Sequence, residues 1–393
     1  MLLQYFALAY GAALAVGSPV PDPEPQLSLP PLIPSIPDPF TGSNIKPKKI
    51  GYFWTGAGDN EHADFLVTYS LDDDTFGEFI WLTDVPSSGN SPHHLGGLLS
   101  LLKTQDTAYY FDVSNPYRPT FLHSDRAILS SITDEIRAKP DGGFLITYMG
   151  SAVGPSPGRL VETDANYDII LEFSAVTDVA GTLNVVEDLF NPHGLIVDWD
   201  KNIILTSDFV APLSILKPSL GIQHDNTLRL WNLDSRIIIS TITIPNGGGI
   251  QDVKFIPGNN ESAALATAVA LGQDLGPSVQ NVIAIYSDIT QHGNFAYFTL
   301  TTANHIAALD IRDLTTITPD QKHIVVTDYF VQTGDIGLIN TPADFRALYI
   351  DINADGSLYF NRSIDFEQQF SRGGKPHSSV VFDLTDPAHP IYY

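Results

Sequence analysis

The sequence predicts an all-β protein, a β-propeller whose ring is closed by pairing strands from its N-terminal and C-terminal parts. From Ile50 onward the apolar segments are short and rich in β-branched and aromatic residues. Similar turn sequences recur between these segments, and no long amphipathic helical pattern interrupts them. Repeated four-stranded units that hide their edges by radial closure are what a propeller needs, and their spacing predicts about six blades, with seven as the alternative.

The N-terminal segment is predicted to lie outside this fold. Residues 1–17 are predicted to be a signal peptide, because the apolar run from Leu2 to Val16 is too short to cross a bilayer of roughly 30 Å. A buried N-terminal helix is the alternative. Residues 18–49 are predicted to be a proline-rich arm or linker, since nine of the twenty-one residues in 19–39 are proline. Residues 50–393 then form one propeller domain of a protein that is secreted or held in the lumen of the secretory pathway.

Turn and strand phrases repeat along the domain. Lys139–Gly143, Asp198–Asn202 and Asn353–Ser357 each lie between a predicted inner strand and the apolar strand that follows it. The phrase FDVSNPYRP near the start of the domain is echoed by FDLTDPAHP at its end. These repeats predict blades over residues 92–125, 134–174, 193–244, 250–310 and 344–393, with the strands in 65–84 completing the ring against the C-terminus.

The composition excludes several classes of partner and site. The 393 residues carry a formal net charge of −25, and no basic stripe interrupts the acidic surface, so we expect no nucleic-acid partner and no membrane partner once the leader is removed. The chain has no cysteine, which excludes disulfides, zinc–thiolate sites, iron–sulfur clusters and cysteine nucleophiles. The sequons that begin at Asn260 and Asn361 are candidate N-glycosylation sites.

Titratable residues are concentrated just before the predicted inner strands, whose ends converge on the central channel of a propeller. We expect these residues to form a functional pocket, although capping of strand ends is the alternative for each of them taken alone. They are His93, His94, Glu135, His193, Asp252, Asp344, Arg346 and His377. Aromatic residues near the same strand ends, including Trp54 and Tyr148, are candidates for the apolar wall.

Several phrases resemble, in the same order, segments of the selenium-binding protein and methanethiol oxidase family. They are SPHHLGG, GFLITYMGSAVG, NIILTSDFVAP, NTLRLWNLDSRIIISTITI, VKFIP and VVFDLTDPAHP, which are spread over residues 50–393. The resemblance implies a propeller with a histidine copper site to which His93 and His94 contribute. However, the family's histidine–cysteine phrase appears here as DEIRAKP, and the reactive cysteine is absent, so the pattern leans away from a copper oxidase.

The architecture, the leader and the incomplete metal set also resemble the fungal hetero-Diels–Alderases of tropolone–sesquiterpenoid pathways. This resemblance implies an enzyme of secondary metabolism without a metal or other cofactor, acting on a polyketide-derived alcohol and a terpene. An alcohol would lose water to give a quinone methide, which then adds across a terpene alkene. A copper oxidase and a non-catalytic ligand-binding propeller remain the alternatives.

The roles that this reaction requires can be assigned to the candidate residues. Loss of hydroxide needs a general acid, and the acidic ring hydroxyl needs a base or a hydrogen-bond acceptor. We predict proton transfer by His94, Glu135, His193 and His377. Substrate binding is predicted for His93, Asp252, Asp344, Arg346, Trp54 and Tyr148, with Arg346 as an anchor for an anionic tropolonate.

Overall fold

The computed structural model describes most of the chain from Phe40 onward. The described residues are 40–59, 61–88, 91–92, 98–99, 107–152, 156–175, 190–212, 225–244, 247–257, 264–271, 284–290, 295–300, 305–310, 323–327, 345–352, 358–386 and 391–392. The predicted signal peptide and the predictions made for His93, His94, Asp344 and Asn260 lie outside these ranges.

The described residues form twenty-five strands and one short helix. The strands are β1 (Lys49–Ala57), β2 (Ala63–Ser70), β3 (Phe79–Ser88), β4 (Ser91–Pro92), β5 (Leu98–Leu99), β6 (Thr107–Asp112), β7 (Thr120–Arg126), β8 (Ser130–Ala138), β9 (Phe144–Ser151), β10 (Arg159–Thr163), β11 (Ile169–Phe173), β12 (Pro192–Asp198), β13 (Ile203–Asp208), β14 (Thr227–Asn232), β15 (Ile237–Thr243), β16 (Gly247–Phe255), β17 (Ala264–Leu271), β18 (Ala284–Ile289), β19 (Phe295–Leu300), β20 (His305–Asp310), β21 (His323–Thr327), β22 (Arg346–Ile352), β23 (Leu358–Asp365), β24 (Gly374–Asp383) and β25 (Ile391–Tyr392). The helix is α1 (Phe366–Gln369). None of the helical structure described here is long and apolar enough to span a membrane.

The sheets are antiparallel and are arranged as a β-propeller, which confirms the predicted fold class. The two complete four-stranded sheets run β8 to β11 and β12 to β15, each in chain order. The segment 250–310, which was expected to be one blade, instead contributes strands to two sheets, β16–β17 and β18–β19–β20. This division favours the seven-blade alternative over six, although the blade number stays a prediction.

The ring closes as the sequence predicts, through pairing of an N-terminal with a C-terminal strand. β24 pairs antiparallel with β1 from Lys49 opposite Asp383 to Ala57 opposite Gly374, and β2 and β3 complete this sheet. Phe53, Tyr69 and Phe366 pack together in the core beside it, with ring centroids 5.3 to 5.9 Å apart. Because the two ends of the domain share one sheet, closure supplies long-range pairing without a disulfide.

Burial separates the central strand of one sheet from the outer strand of another. β1, which lies between β24 and β2, is buried at all but its first residue, because the faces of its sheet pack against neighbouring structure on both sides. β15 alternates instead between exposed and half-buried residues, and Ile237 and Ile239 are 65% and 56% exposed. The outer edge therefore keeps the period-two pattern of a half-buried strand, whereas β1 is buried on both faces.

The last residues of the proline-rich arm pack against the outer strand β3. The ring of Phe40 lies edge-on to Phe79 and Trp81, at centroid distances of 5.8 and 5.7 Å. The amide N–H of Ser43 donates to the carbonyl of Ile80 at 2.9 Å. A Cβ at Gly42 would lie 2.4 Å from the Trp81 ring, so only glycine allows this approach.

A buried carboxylate joins the two complete sheets. Glu162 on β10 lies 2.8 Å from Lys139, in the β8–β9 turn, and accepts hydrogen bonds from Arg236, in the β14–β15 turn, at 2.5 and 3.1 Å. Burial raises the pKa of the Glu162 carboxyl, but Lys139 and Arg236 more than reverse this effect, so the pKa falls below its ordinary value. Ionised Glu162 is therefore a link between neighbouring sheets.

Replacing Glu162 by glutamine is expected to lower the free energy of unfolding at neutral pH by about 2 kcal/mol, because two charge-assisted contacts are weakened. The folded-state pKa is depressed, so this contribution is fully present above the ordinary value of 4.5 and is lost as the pH falls below it. Denaturant unfolding of both proteins from pH 3 to pH 7 measures the difference.

The matched control is Asp73→Asn, because Asp73 forms an ion pair with Arg362 but is 93% exposed. This variant should change the free energy of unfolding by less than about 0.5 kcal/mol. If the difference in free energy of unfolding between wild type and Glu162→Gln stayed constant down to pH 3, it would contradict the assigned role of the Glu162 charge.

Candidate functional site

Four of the predicted site residues, Glu135, His193, Asp252 and His377, lie at or next to register shifts of the kind that also occur in other strand pairs of the described sheets. On β8 the register shifts between Thr133 and Ile136, which brackets Asp134 and Glu135. On β12 it shifts between Pro192 and Leu195, which brackets His193. Similar shifts occur on β16 just before Asp252 and on β24 at His377. Bulges redirect side chains and are over-represented beside active sites, so the repeated bulge makes these positions candidates for a site.

His193 and Asp134 form a buried pair between two neighbouring inner strands. The Nε2 atom of His193 lies 3.0 Å from Oδ2 of Asp134, and the two side chains are 1% and 0% exposed. Phe209 contacts the imidazole edge-on, with centroids 4.8 Å apart. A carboxylate on one ring nitrogen fixes the orientation of the imidazole and stabilises its protonated form, which are the requirements for a proton-transfer histidine.

Short contacts hold these bulges in place. The amide N–H of Glu135 donates to Oγ1 of Thr147 at 2.9 Å, and this hydroxyl donates to the carbonyl of His193 at 2.7 Å. On the other side of β12, a Cβ at Gly194 would lie 2.6 Å from Oγ of Ser207 and 3.0 Å from the carbonyl oxygen of Gln251. Only glycine lets β12 approach β16 this closely. The positions of β8, β12 and β16 are therefore mutually fixed.

A second group of charged residues follows on the same strands. Arg137 forms an ion pair with Glu135 on β8, and Lys254 lies 3.4 Å from Asp252 on β16. Each pair has the i, i+2 spacing that places two side chains on one face of a strand. The carboxylate of Asp252 also accepts hydrogen bonds from the amide and hydroxyl of Ser287 on β18, at 3.0 and 2.9 Å.

The protein environment shifts the pKa of two of these groups. Burial lowers the pKa of Lys254, but the carboxylates of Asp252, Glu135 and Asp288 together more than reverse this, so the pKa is raised and Lys254 is protonated. Burial raises the pKa of the Asp288 carboxyl, which Lys254 only partly offsets. Asp288 is nevertheless exposed to solvent.

Three of the predicted residues, Glu135, His193 and Asp252, lie on the neighbouring inner strands β8, β12 and β16. Arg346 opens β22 in a different sheet and is half-buried. Trp54 and Tyr148 are 3% and 0% exposed within separate core clusters. Their assignment to substrate binding stays a prediction, and burial gives each of them a structural role.

The remaining predicted residues are only partly described. His377 lies on β24, but its side chain is not described, and His93, His94 and Asp344 lie outside the described residues. Asn361, the other sequon position, is exposed on β23, and its amide donates to Asp351 at 2.9 Å. Its glycosylation stays a prediction.

Sequence reasoning missed Asp134, Arg137, Lys254 and Asp288. Asp134 is adjacent to Glu135 in the phrase TDEIRA. Arg137 and Lys254 each follow an acidic residue by two positions, a spacing that indicates a charge pair on one face of a strand. Nothing in the sequence shows which face meets the channel.

A histidine metal site is not formed by the described residues. Within the described ranges, no three histidine, cysteine, aspartate or glutamate side chains come together in a way that could hold a metal ion. Nε2 of His193 faces Asp134. His93 and His94, which the family resemblance assigns to the copper site, lie outside the described residues.

Comparison with solved structures places the chain among β-propellers. It matches a hypothetical selenium-binding protein from Sulfolobus tokodaii with a TM-score of 0.61 and 13% identity, over 86% of this chain and 94% of that one. It also matches a candidate 6-phosphogluconolactonase from Bacteroides fragilis with a TM-score of 0.50 and 11% identity, over 84% and 97% of the two chains. No protein-family model and no curated protein matches the sequence. At these identities the likeness shows the fold alone, and that fold is the β-propeller.

Proposed function

We propose that this protein is a cofactor-independent enzyme that carries out a hetero-Diels–Alderase-like reaction on small apolar molecules at the channel of the propeller. The observation that carries the proposal is the buried His193–Asp134 pair, set between two β-bulges and followed on β8 by Glu135 and Arg137. A paired histidine beside a second carboxylate is suited to moving protons, and the propeller neighbours make an enzyme plausible.

The reaction balances without an oxidant or a reductant. In the first stage, a polyketide-derived alcohol with an acidic ring hydroxyl gains a proton on its leaving hydroxyl and loses one from its ring hydroxyl. The carbon–oxygen bond breaks, and water and a quinone methide are formed. In the second stage, the quinone methide adds across an alkene of a terpene such as humulene, forming one carbon–carbon and one carbon–oxygen bond with no net proton transfer.

Each stage makes a different demand on the residues. His193, oriented by Asp134, would move the proton in the first stage, with Glu135, His94 and His377 as the further proposed proton-transfer groups. The second stage needs apolar walls that hold two reactants together and exclude water, because proximity supplies much of the rate enhancement. Phe209 beside the imidazole is one such wall.

The test is turnover by the full-length chain supplied with a tropolone alcohol and humulene, with the product identified by chromatography and mass spectrometry. We expect cycloadduct at a rate above the protein-free background, unchanged by a chelator, and elemental mass spectrometry on the same sample should find no stoichiometric metal. Copper lost together with activity would overturn the proposal in favour of a copper oxidase. Binding of both substrates without turnover would overturn it in favour of a ligand-binding propeller.

A further inference from the structure

We propose that Arg137 and Lys254 form a binding site for a small organic anion, such as a carboxylate or a tropolonate, in the channel of the propeller. The two cations lie on β8 and β16, the inner strands on either side of β12. The site therefore draws on two separate sheets that the ring brings together.

The cations reach further toward solvent than the acids beside them. The side chains of Arg137 and Lys254 are each 23% exposed, whereas those of their partners Glu135 and Asp252 are 10% and 1% exposed. The carboxylate of Asp252 is in addition held by Ser287 at 2.9 and 3.0 Å. A ligand that enters the channel would meet positive charge before it meets these two carboxylates.

Both cations keep hydrogen-bond donors that the protein does not use. Arg137 donates through Nη1 alone, to Glu135 and to the carbonyl of Ile136, so among the described residues Nε and Nη2 have no acceptor. Nζ of Lys254 lies 3.4 Å from Asp252, an ion-pair distance, and makes no hydrogen bond within the described ranges. A guanidinium with two free donors matches the two oxygens of a carboxylate or tropolonate, and the ammonium adds a point charge.

Lys254 stays protonated beside Arg137. Burial lowers the pKa of Lys254, but the carboxylates of Asp252, Glu135 and Asp288 together more than offset burial and the repulsion from Arg137, so the pKa is raised. An anion at this site would therefore meet a charged ammonium as well as a guanidinium.

The site extends the proposed function. Only the identity of its natural ligand rests on that function. Asp134, Glu135 and Arg137 follow one another on β8, so an anion held by Arg137 lies beside the proton-transfer pair. Anion binding itself requires no turnover.

The experiment is calorimetric titration of the full-length chain with sodium benzoate at low ionic strength, with neutral benzamide as the companion probe. We expect benzoate to bind, benzamide to bind at least about tenfold more weakly, and both Arg137→Gln and Lys254→Gln to weaken benzoate binding by about tenfold or more. The matched control is Lys201→Gln, because Lys201 also pairs with an aspartate on its own segment, at 3.1 Å, but lies on a surface turn. Its affinity for benzoate should equal that of the wild type.

Three outcomes would overturn the site: no benzoate binding to the wild type, equal binding of benzamide, or unchanged affinity in both channel variants. If either glutamine variant fails to fold, Arg137→Lys is the replacement test. It keeps the positive charge but loses the paired N–H donors of the guanidinium, so it should weaken benzoate binding by a smaller factor. Because turnover is not measured, benzoate binding to a protein without cycloaddition activity supports the site and contradicts only the proposed function.

Discussion

Replacing His193 by glutamine is expected to reduce turnover in the proposed dehydration and cycloaddition by about 100- to 10,000-fold, the usual loss when a general acid–base group is removed. Glutamine fills a similar volume but cannot carry a proton between substrate atoms. Asp134→Asn should cause a smaller loss, because it leaves the imidazole in place and removes the charge that orients it and stabilises its protonated form. Initial rates of cycloadduct formation under saturating substrate measure both effects.

The control for this prediction is another histidine–aspartate pair of the same molecule. Nδ1 of His323 lies 2.8 Å from Oδ1 of Asp351, but these side chains are 27% and 32% exposed and lie on β21 and β22. His323→Gln should therefore keep turnover within about twofold of the wild type. A folded His193→Gln protein with wild-type turnover would remove His193 from the mechanism, and unfolding curves of all variants separate lost chemistry from lost structure.

The fold could be predicted because its signals are local and repeated. The phrase Lys139–Gly143 is the turn between β8 and β9, and Gly143 has a φ of +77° there. A Cβ at this glycine would lie 2.3 Å from the carbonyl oxygen of Thr163, so the backbone conformation of the turn and its packing both require glycine. The echo between residues 111–119 and 382–390 likewise indicated a repeat, and the predicted closure against the C-terminus is seen in the pairing of β24 with β1.

The division of residues 250–310 could not be predicted in the same way. β16 and β18 both mix apolar and polar residues, and a strand that continues a blade has the same local pattern as one that begins the next. The contact of Ser287 with Asp252 places β18 beside β16, and this contact spans thirty-five residues. Such a pairing depends on the closed ring rather than on any local motif.

The site was predicted in part, for a related physical reason. Glu135, His193 and Asp252 were found because titratable residues at the ends of apolar strands are unusual. Trp54 satisfied the same positional criterion, but β1 is buried on both faces, so an aromatic residue at its end completes a core. Arg137 and Lys254 were missed because alternation along a strand shows which residues share a face and not what that face meets.

Replacing Arg229 by methionine is expected to lower the free energy of unfolding by about 3–5 kcal/mol, because it leaves the carboxylate of Asp208 buried without its cation. Nε of Arg229 lies 2.9 Å from Oδ2 of Asp208, and the two side chains are 3% and 0% exposed. Thr227 also donates to Asp208, and so does the amide of Asn191 at 3.1 Å. Denaturant unfolding at pH 7 measures the loss.

The Asp208–Arg229 pair also positions β12, which carries His193, so loss of the pair should lower turnover as well as stability. Asp208 holds Asn191 and lies opposite Pro192 in the register of β12 and β13, directly before the bulge at His193.

The double variant Asp208→Asn/Arg229→Met should be more stable than Arg229→Met alone, since no uncompensated charge remains. Lys201→Met breaks the surface pair with Asp198 and should cost less than about 0.5 kcal/mol. A loss below about 1 kcal/mol for Arg229→Met would show that burial of this pair does not hold the His193 strand, and the geometry of the proton-transfer site would need another support.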